Sequence, residues 1–390
     1  MYASYNRMAA VAASVVCLGL SASLSAQTYT FTNVADTVGP FSSFSGSPSL
    51  NSAGTVVFRA GLDGGGGGIY TSNGGPATTI ADFIDGTFSG FNGNPLIDPT
   101  GVVFAASLVD GGSGIFTASS AGGPITTVVD TDGPFSSFSD TMSINTGGTI
   151  AARANLAVGG SGIVTVNKTG GSPTIVVDTD GPFSSFGNAP AINASGTVAF
   201  RGNLDASGAG IYTRSGAGPV TTIVDDSGPF DGFGSTVSIN ATGTVAFTSL
   251  LDTGVSGLFT ATDGGTITTI ADSSGPFMGF NASAISADGT VVFYGFLDGG
   301  GGGIYTGADP TTDKLIAVGD SLFGSTVTSL NFSREGLTEG GNLAFYYNLA
   351  DGRSGIAIAS VPEPTGLLGL LTLSGLLSLK RRQPSRQRSS

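Results

Sequence analysis

The chain has 390 residues, including 65 Gly and 25 Phe, no Trp and no His, and only 11% of it is charged. Glycine is poor in helix interiors and soluble helices need charged surfaces, so short strands joined by glycine-rich turns fit this composition better than a helical fold. The formal net charge of −13 argues against a phosphate backbone as partner, so nucleic acid is not expected.

Residues 1–26 have the form of a secretory signal. Arg7 supplies the positive start, an uncharged apolar run follows from Met8 to Leu20, and small residues lead to Ala26. The run is short for a membrane span, so removal is expected, with cleavage after Ala26 or Ser25. The lone cysteine, Cys17, lies inside this segment. A mature chain without thiols or imidazoles has no disulfide, no thiolate or His-ligated metal, and no Ser–His–Asp triad. An enzyme built on it would rely on carboxylates, Tyr or Lys.

Residues 27–360 are a tandem array. Copies start at Asp36, Asp82, Asp130, Asp178, Asp225 and Asp272, with a degenerate seventh near Gly319. Periods of this size indicate solenoids, propellers or arrays. In the fourth copy the expected strands are a (residues 189–192), b (197–204), c (210–213) and d (220–224). The a–b connection, from Asn193 to Gly196, is a hairpin signal, because Asn forms Asx turns and Gly accepts positive φ. Strand b is apolar on both alternating faces, which suits a sheet covered on both sides.

Four short antiparallel strands per copy describe a propeller blade. The seventh copy stops after its strand c, while residues 29–35 ahead of the first copy resemble a strand d without a blade. The expected fold is therefore an all-β, seven-bladed propeller closed by the N-terminal strand. An open β-repeat array is the alternative, but it would leave two exposed sheet edges.

In such a blade the d–a and b–c connections share one face. The d–a loops carry Asp36, Asp82, Asp85, Asp130, Asp132, Asp178, Asp180, Asp225, Asp226, Asp272 and Asp320, and the b–c loops Asp63, Asp110, Asp205, Asp252, Asp298 and Asp351. A crown of carboxylates on one rim follows. Asp130 with Asp132, and Asp178 with Asp180, form Asp-x-Asp-Gly runs that would suit Ca²⁺, the one cofactor the sequence suggests. The competing reading is that each Asp caps the turn between blades. No carboxylate pair stands apart as a glycosidase pair would, because nearly every copy has one. Phe183 and Phe186, repeated per copy, are expected to pack between blades. Arg59, Arg153 and Arg201 share a register on strand b and are expected either to pair with rim carboxylates or to line a cleft between blades. Gly64 to Gly68 has no phosphate-loop Lys and lies between strands, which argues against nucleotide binding.

The signature Asn-x-x-Gly-x-x-Ala/Val-Phe recurs from Asn51 to Phe58, Asn193 to Phe200 and Asn240 to Phe247. The third copy has Ala151-Ala152 near the Phe position, and the seventh has Thr338 for the Asn. The array resembles the bacterial NxxGxxAF tandem-repeat proteins, a resemblance that implies architecture and surface location without an activity. Residues 361–390 combine Pro362-Glu363-Pro364, an uncharged run over 366–379 and the basic cluster Lys380-Arg381-Arg382. This tail resembles the PEP-CTERM sorting signal of Gram-negative bacteria. The resemblance implies an exosortase-type partner, transient anchoring by residues 366–379, processing near the Pro-Glu-Pro, and delivery to the cell surface or extracellular matrix.

The expected function is thus an exported, non-enzymatic repeat protein with a structural or binding role. A Ca²⁺-dependent exopolysaccharide-binding module is the alternative, and a carboxylate-dependent glycan-active enzyme the third reading.

Overall fold

The computed structural model describes residues 28–360. Seven antiparallel sheets form a seven-bladed β-propeller. Blade 1 runs through Phe41–Leu50, Val56–Leu62, Gly67–Ser72 and Thr78–Asp82 as strands a to d. Blades 2 to 6 repeat this order, ending at Asp130, Asp178, Asp225, Asp272 and Ala317. Blade 7 takes strands a, b and c from Ser325–Asn331, Leu343–Leu349 and Ser354–Ser360. Its strand d is Thr30–Asp36, which pairs antiparallel with Ser354–Ser360 from Thr30↔Ser360 to Asp36↔Gly355. The N-terminal strand therefore closes the ring, as the unequal ends of the array imply.

Strand b of blade 4 spans Thr197–Leu204 as expected, but strand a is longer than the sequence suggests. In most blades it starts at the first Phe of the Phe pair, as in Phe41–Leu50 and Phe230–Ile239. In blade 4 it is split into Phe183–Phe186 and Ala191–Ile192, interrupted around Pro190. Register shifts near its start and middle recur in other blades, so the strand bends as it approaches the axis.

The Phe pair packs mainly inside its own blade, which corrects the expectation of purely inter-blade packing. Phe183 meets Phe186, Phe200 and Tyr212 at 5.0–5.7 Å between ring centroids. This cluster then rests on Ile163, Val176 and Val177 of blade 3. Similar clusters repeat around the ring, and edge-to-face geometry adds to the apolar burial. The core is therefore a series of inter-blade layers without a single centre.

Among the described residues there is no α-helix, and no helix is long and apolar enough to cross a membrane. The single 3₁₀ turn, Arg334–Gly336, belongs to the a–b connection of blade 7.

Candidate functional site

The d–a and b–c turns lie on one face and the a–b and c–d turns on the other, as the antiparallel pairings require. Thr30, near the start of the described chain, and Ser360, at its end, are paired with each other on the a–b face. The carboxylate rim is on the opposite face.

Each Asp that begins a copy caps its own turn. The Oδ1 atoms of Asp36, Asp82, Asp130, Asp178, Asp225 and Asp272 accept the backbone N–H two residues on, at 2.8–3.2 Å. These are Asx turns, which hold the chain as it passes between blades. Asp132 and Asp180 donate their amides to Asp130 and Asp178, so the four candidate Ca²⁺ ligands fall on two successive d–a loops. Among the described residues no group of three or more carboxylates converges as a metal cage requires. Pro362, Glu363, Pro364, the apolar run 366–379 and the signal segment lie outside the described residues.

All eight basic residues of the described chain are occupied within the fold. Arg59 donates to the Gly93 carbonyl at 2.9 Å and Arg153 to Asn188 at 3.3 Å, each reaching the next blade. Arg201 bonds Asn203, and Arg214 bonds the carbonyls of Gly218 and Val176. The strand-b arginines thus line the clefts between blades, and none of them forms an ion pair with the rim. Burial lowers the Arg59 pKa, and the charge of Asp140 partly offsets this. Lys314 pairs with Asp320 at 2.8 Å, Arg353 with Asp351 at 2.7 Å, Lys168 with Asp98 and Arg334 with Glu335. The other 22 of the 26 carboxylates have no ion-pair partner among the described residues, and most of them lie on the d–a/b–c face.

On the a–b face the repeated Asn has two roles. Its Oδ1 closes the hairpin, as in Asn193 accepting the amides of Ser195 and Thr197 at 3.1 and 2.9 Å. Its Nδ2 donates to the equivalent carbonyl of the next blade: Asn51 to Asp98, Asn145 to Asn193, Asn193 to Asn240 and Asn240 to Ser286, at 3.0–3.3 Å. Blade 2 carries Asp98 and has no donor there. Instead Lys168 of blade 3 crosses to Asp98 at 2.5 Å, with both side chains buried. A charged tie thus replaces the amide clasp at this one joint.

The axis of the ring is blocked by blade 7. Its connection turns inward at Ser333, whose hydroxyl donates to the Pro48 carbonyl at 3.1 Å. Arg334 then donates to four carbonyls of the inner strands: Met142, Ala189, Pro190 and Val237, from blades 3, 4 and 5. Its Nε pairs with Glu335 at 2.9 Å. Burial raises the Glu335 pKa and Arg334 pulls it back. Gly336 fits because a Cβ there would stand 2.6 Å from the Ala344 carbonyl. Cavities of about 230 and 360 Å³ lie on the two sides of this plug, both touched by Arg334 and Glu335. The plug was not foreseen from the sequence, where its one signal is Thr338 replacing the repeated Asn.

No family model matches the chain, and no curated protein matches it in sequence. Solved structures do resemble it. The β-propeller domain of the Trilobed protease from Pyrococcus furiosus is 10% identical, with a TM-score of 0.57, covering 84% of this chain and 100% of that one. An acylaminoacyl peptidase from Pyrococcus horikoshii is 12% identical, with a TM-score of 0.53 and coverage of 85% and 53%. Prolyl oligopeptidase B from Galerina marginata is 13% identical, with a TM-score of 0.51 and coverage of 82% and 47%. The chain thus spans about half the length of these two peptidases. The Trilobed protease propeller is described as having an open velcro topology, whereas here Thr30–Asp36 pairs with Ser354–Ser360. At these identities the likeness shows the fold alone: the chain is a seven-bladed β-propeller.

Proposed function

We propose that this protein is exported and held at the cell surface or in the extracellular matrix, where its propeller presents a binding face without catalysing a reaction. One observation carries the reading. The face opposite Thr30 and Ser360 is rimmed by carboxylates of which basic side chains neutralise only two, Asp320 and Asp351. A chain tethered through residues beyond Ser360 would turn that face outward. Its negative field attracts cationic partners and repels phosphate backbones.

The non-enzymatic part rests on the rim chemistry. The Asp residues that open the copies are engaged as turn caps, and the same arrangement recurs from blade to blade. A catalytic pair needs two carboxylates in unlike environments, and repetition gives like ones. At the axis, Glu335 is committed to Arg334.

The test is fractionation of the native cells with mass spectrometry of both termini. A mature chain beginning at Gln27 or Ala26 and ending near Pro362, in the envelope or matrix fraction, is expected. A cytoplasmic chain with both ends intact would refute export. Turnover of a glycan panel by the purified protein, lost on changing one Asp but not its counterparts, would refute the non-enzymatic reading.

A further inference from the structure

The clefts between blades are filled in different ways, and the one between blades 5 and 6 holds an open groove. In blade 4 the surface facing blade 5 carries Ser185, Arg201 and Asn203. Asn203 donates to Ser185 at 2.7 Å and accepts from Arg201 at 3.0 Å, so a polar cluster closes the cleft. In blade 3, Asn155 and Ser137 form the same bond at 2.8 Å. In blade 6 the register carries Tyr294 and Phe296, whose rings meet at 5.0 Å. In blade 5 the equivalent positions are Gly232, Thr248 and Leu250, with Gly232 directly opposite Leu250. Nothing there reaches across. A groove of about 420 Å³ remains between blades 5 and 6.

One glycine keeps this groove open, and a second lines its far wall. Gly232 has no atom within 4 Å of where its Cβ would stand. Across the groove Gly279 contributes backbone only, since its Cβ would share the face of its cross-strand partner Phe296, on the side of blade 7. Neither has positive φ. Glycine weakens a strand interior, and here neither the backbone conformation nor close packing requires it. What Gly232 maintains is empty space beside Leu250, 39% exposed, and the half-buried ring of Phe280.

We propose that this groove is a docking site for a polypeptide segment in which a Leu or Phe side chain is flanked by Lys or Arg. The apolar anchor follows from the walls. Leu250, Phe280 and glycine backbone make the apolar wall; of the three hydroxyls there, that of Ser249 is already donated to the Gly232 carbonyl at 2.5 Å, which leaves Thr248 and Ser256. A sugar would need converging free polar groups. The cationic flanks follow from charge. No basic residue lines the groove. Asp231 and Asp252 are exposed next to it, and the bond from the Asp252 amide to the Pro229 carbonyl holds that turn against the d–a loop. The groove opens on the carboxylate face. The proposal deepens the reading of that face as the binding face, and its test uses purified protein, so it is independent of export.

The probe is a fluorescein-labelled peptide, Lys-Leu-Lys-Phe-Lys-Leu-Lys, titrated against the full chain by fluorescence anisotropy. Saturable binding that weakens as salt rises is expected. Gly232→Leu fills the groove without a clash at Cβ and should weaken binding at least about tenfold with an unchanged melting temperature. Gly279→Val, whose side chain would face blade 7, should leave binding unchanged and serves as the control. Asp252→Asn should weaken binding by a smaller factor and flatten the salt dependence. The proposal is overturned if the unaltered chain does not bind, if Gly232→Leu binds as tightly as it does, or if an all-Lys peptide binds equally well. Displacement of the peptide by neutral dextran would reassign the groove to a glycan and overturn it as well.

Discussion

Arg334→Met should be among the most damaging single changes in the molecule. The substitution keeps most of the side-chain length and removes five donors. Four inner-strand carbonyls lose their partner, and Glu335, with a side chain only 17% exposed, is left beside them unpaired. Removing one partner of a buried pair costs about 3–5 kcal/mol. The cavities on both sides of the plug give water some access, which places the expected loss near the lower end, about 3 kcal/mol. Urea unfolding followed by tyrosine fluorescence measures it, since the chain has nine Tyr and no Trp.

The sign of the pH dependence is a sharper test. Burial holds the Glu335 pKa above its unfolded value, and Arg334 opposes this. Without the guanidinium the folded-state pKa rises further. A group with a raised folded pKa contributes most below its unfolded pKa and loses that contribution as pH rises. The deficit of Arg334→Met should therefore be smaller near pH 4.5, roughly the ordinary Glu range, than near pH 7.5. Adding Glu335→Gln should recover part of the neutral-pH loss. A deficit below about 1 kcal/mol, or one independent of pH, would show that the plug is a solvated surface pair and refute the reasoning.

Four other outcomes are expected. Lys168→Met alone should cost about 3–5 kcal/mol by stranding the buried Asp98 carboxylate. Lys168→Met with Asp98→Asn should recover much of this, because an amide there restores the clasp to Asn145, and equal instability of single and double variants would contradict that. Asn193→Asp keeps the hairpin acceptor but loses the donor to the Asn240 carbonyl, so a loss of about 1–3 kcal/mol is expected in chemical unfolding. Deleting residues 28–36 exposes the edge of Ser354–Ser360, so oligomers or aggregates should appear by size-exclusion chromatography. Millimolar Ca²⁺ should leave the melting temperature unchanged in the unaltered chain and in Asp130→Asn with Asp178→Asn. A Ca²⁺-dependent rise abolished by those two changes would replace the turn-cap reading with a metal site.

The repeat made the blade count legible, because the same four apolar runs recur with the same glycine turns. Strand b was readable to the residue, since Thr197–Leu204 is rich in β-branched and apolar side chains. Strand a was not. Its first half, as in Phe183–Phe186, is half serine and its register is broken by bulges, so local propensity points away from strand. What holds it is the Phe side chain beneath Phe200 and Tyr212, a tertiary contact. The carboxylate rim was legible from connectivity alone. The plug was not, because Arg334 meets partners 97 to 192 residues away. The groove beside Leu250 was hidden for a similar reason. It exists through what blade 5 lacks relative to blade 4, and that shows only when equivalent positions are superposed on a sheet face.

The closing strand has a consequence for how the molecule is made. Thr30–Asp36 leaves the ribosome before the first blade, yet its partner, Ser354–Ser360, follows every other strand of the array. Six blades therefore form while their sequence-opening strand waits unmatched. A chain halted anywhere in between keeps two bare strand edges and stays visible to chaperones and proteases. Completing Ser354–Ser360 in blade 7 hides both edges at once. Ring closure thus acts as a length check, reporting that translation reached the end of the array.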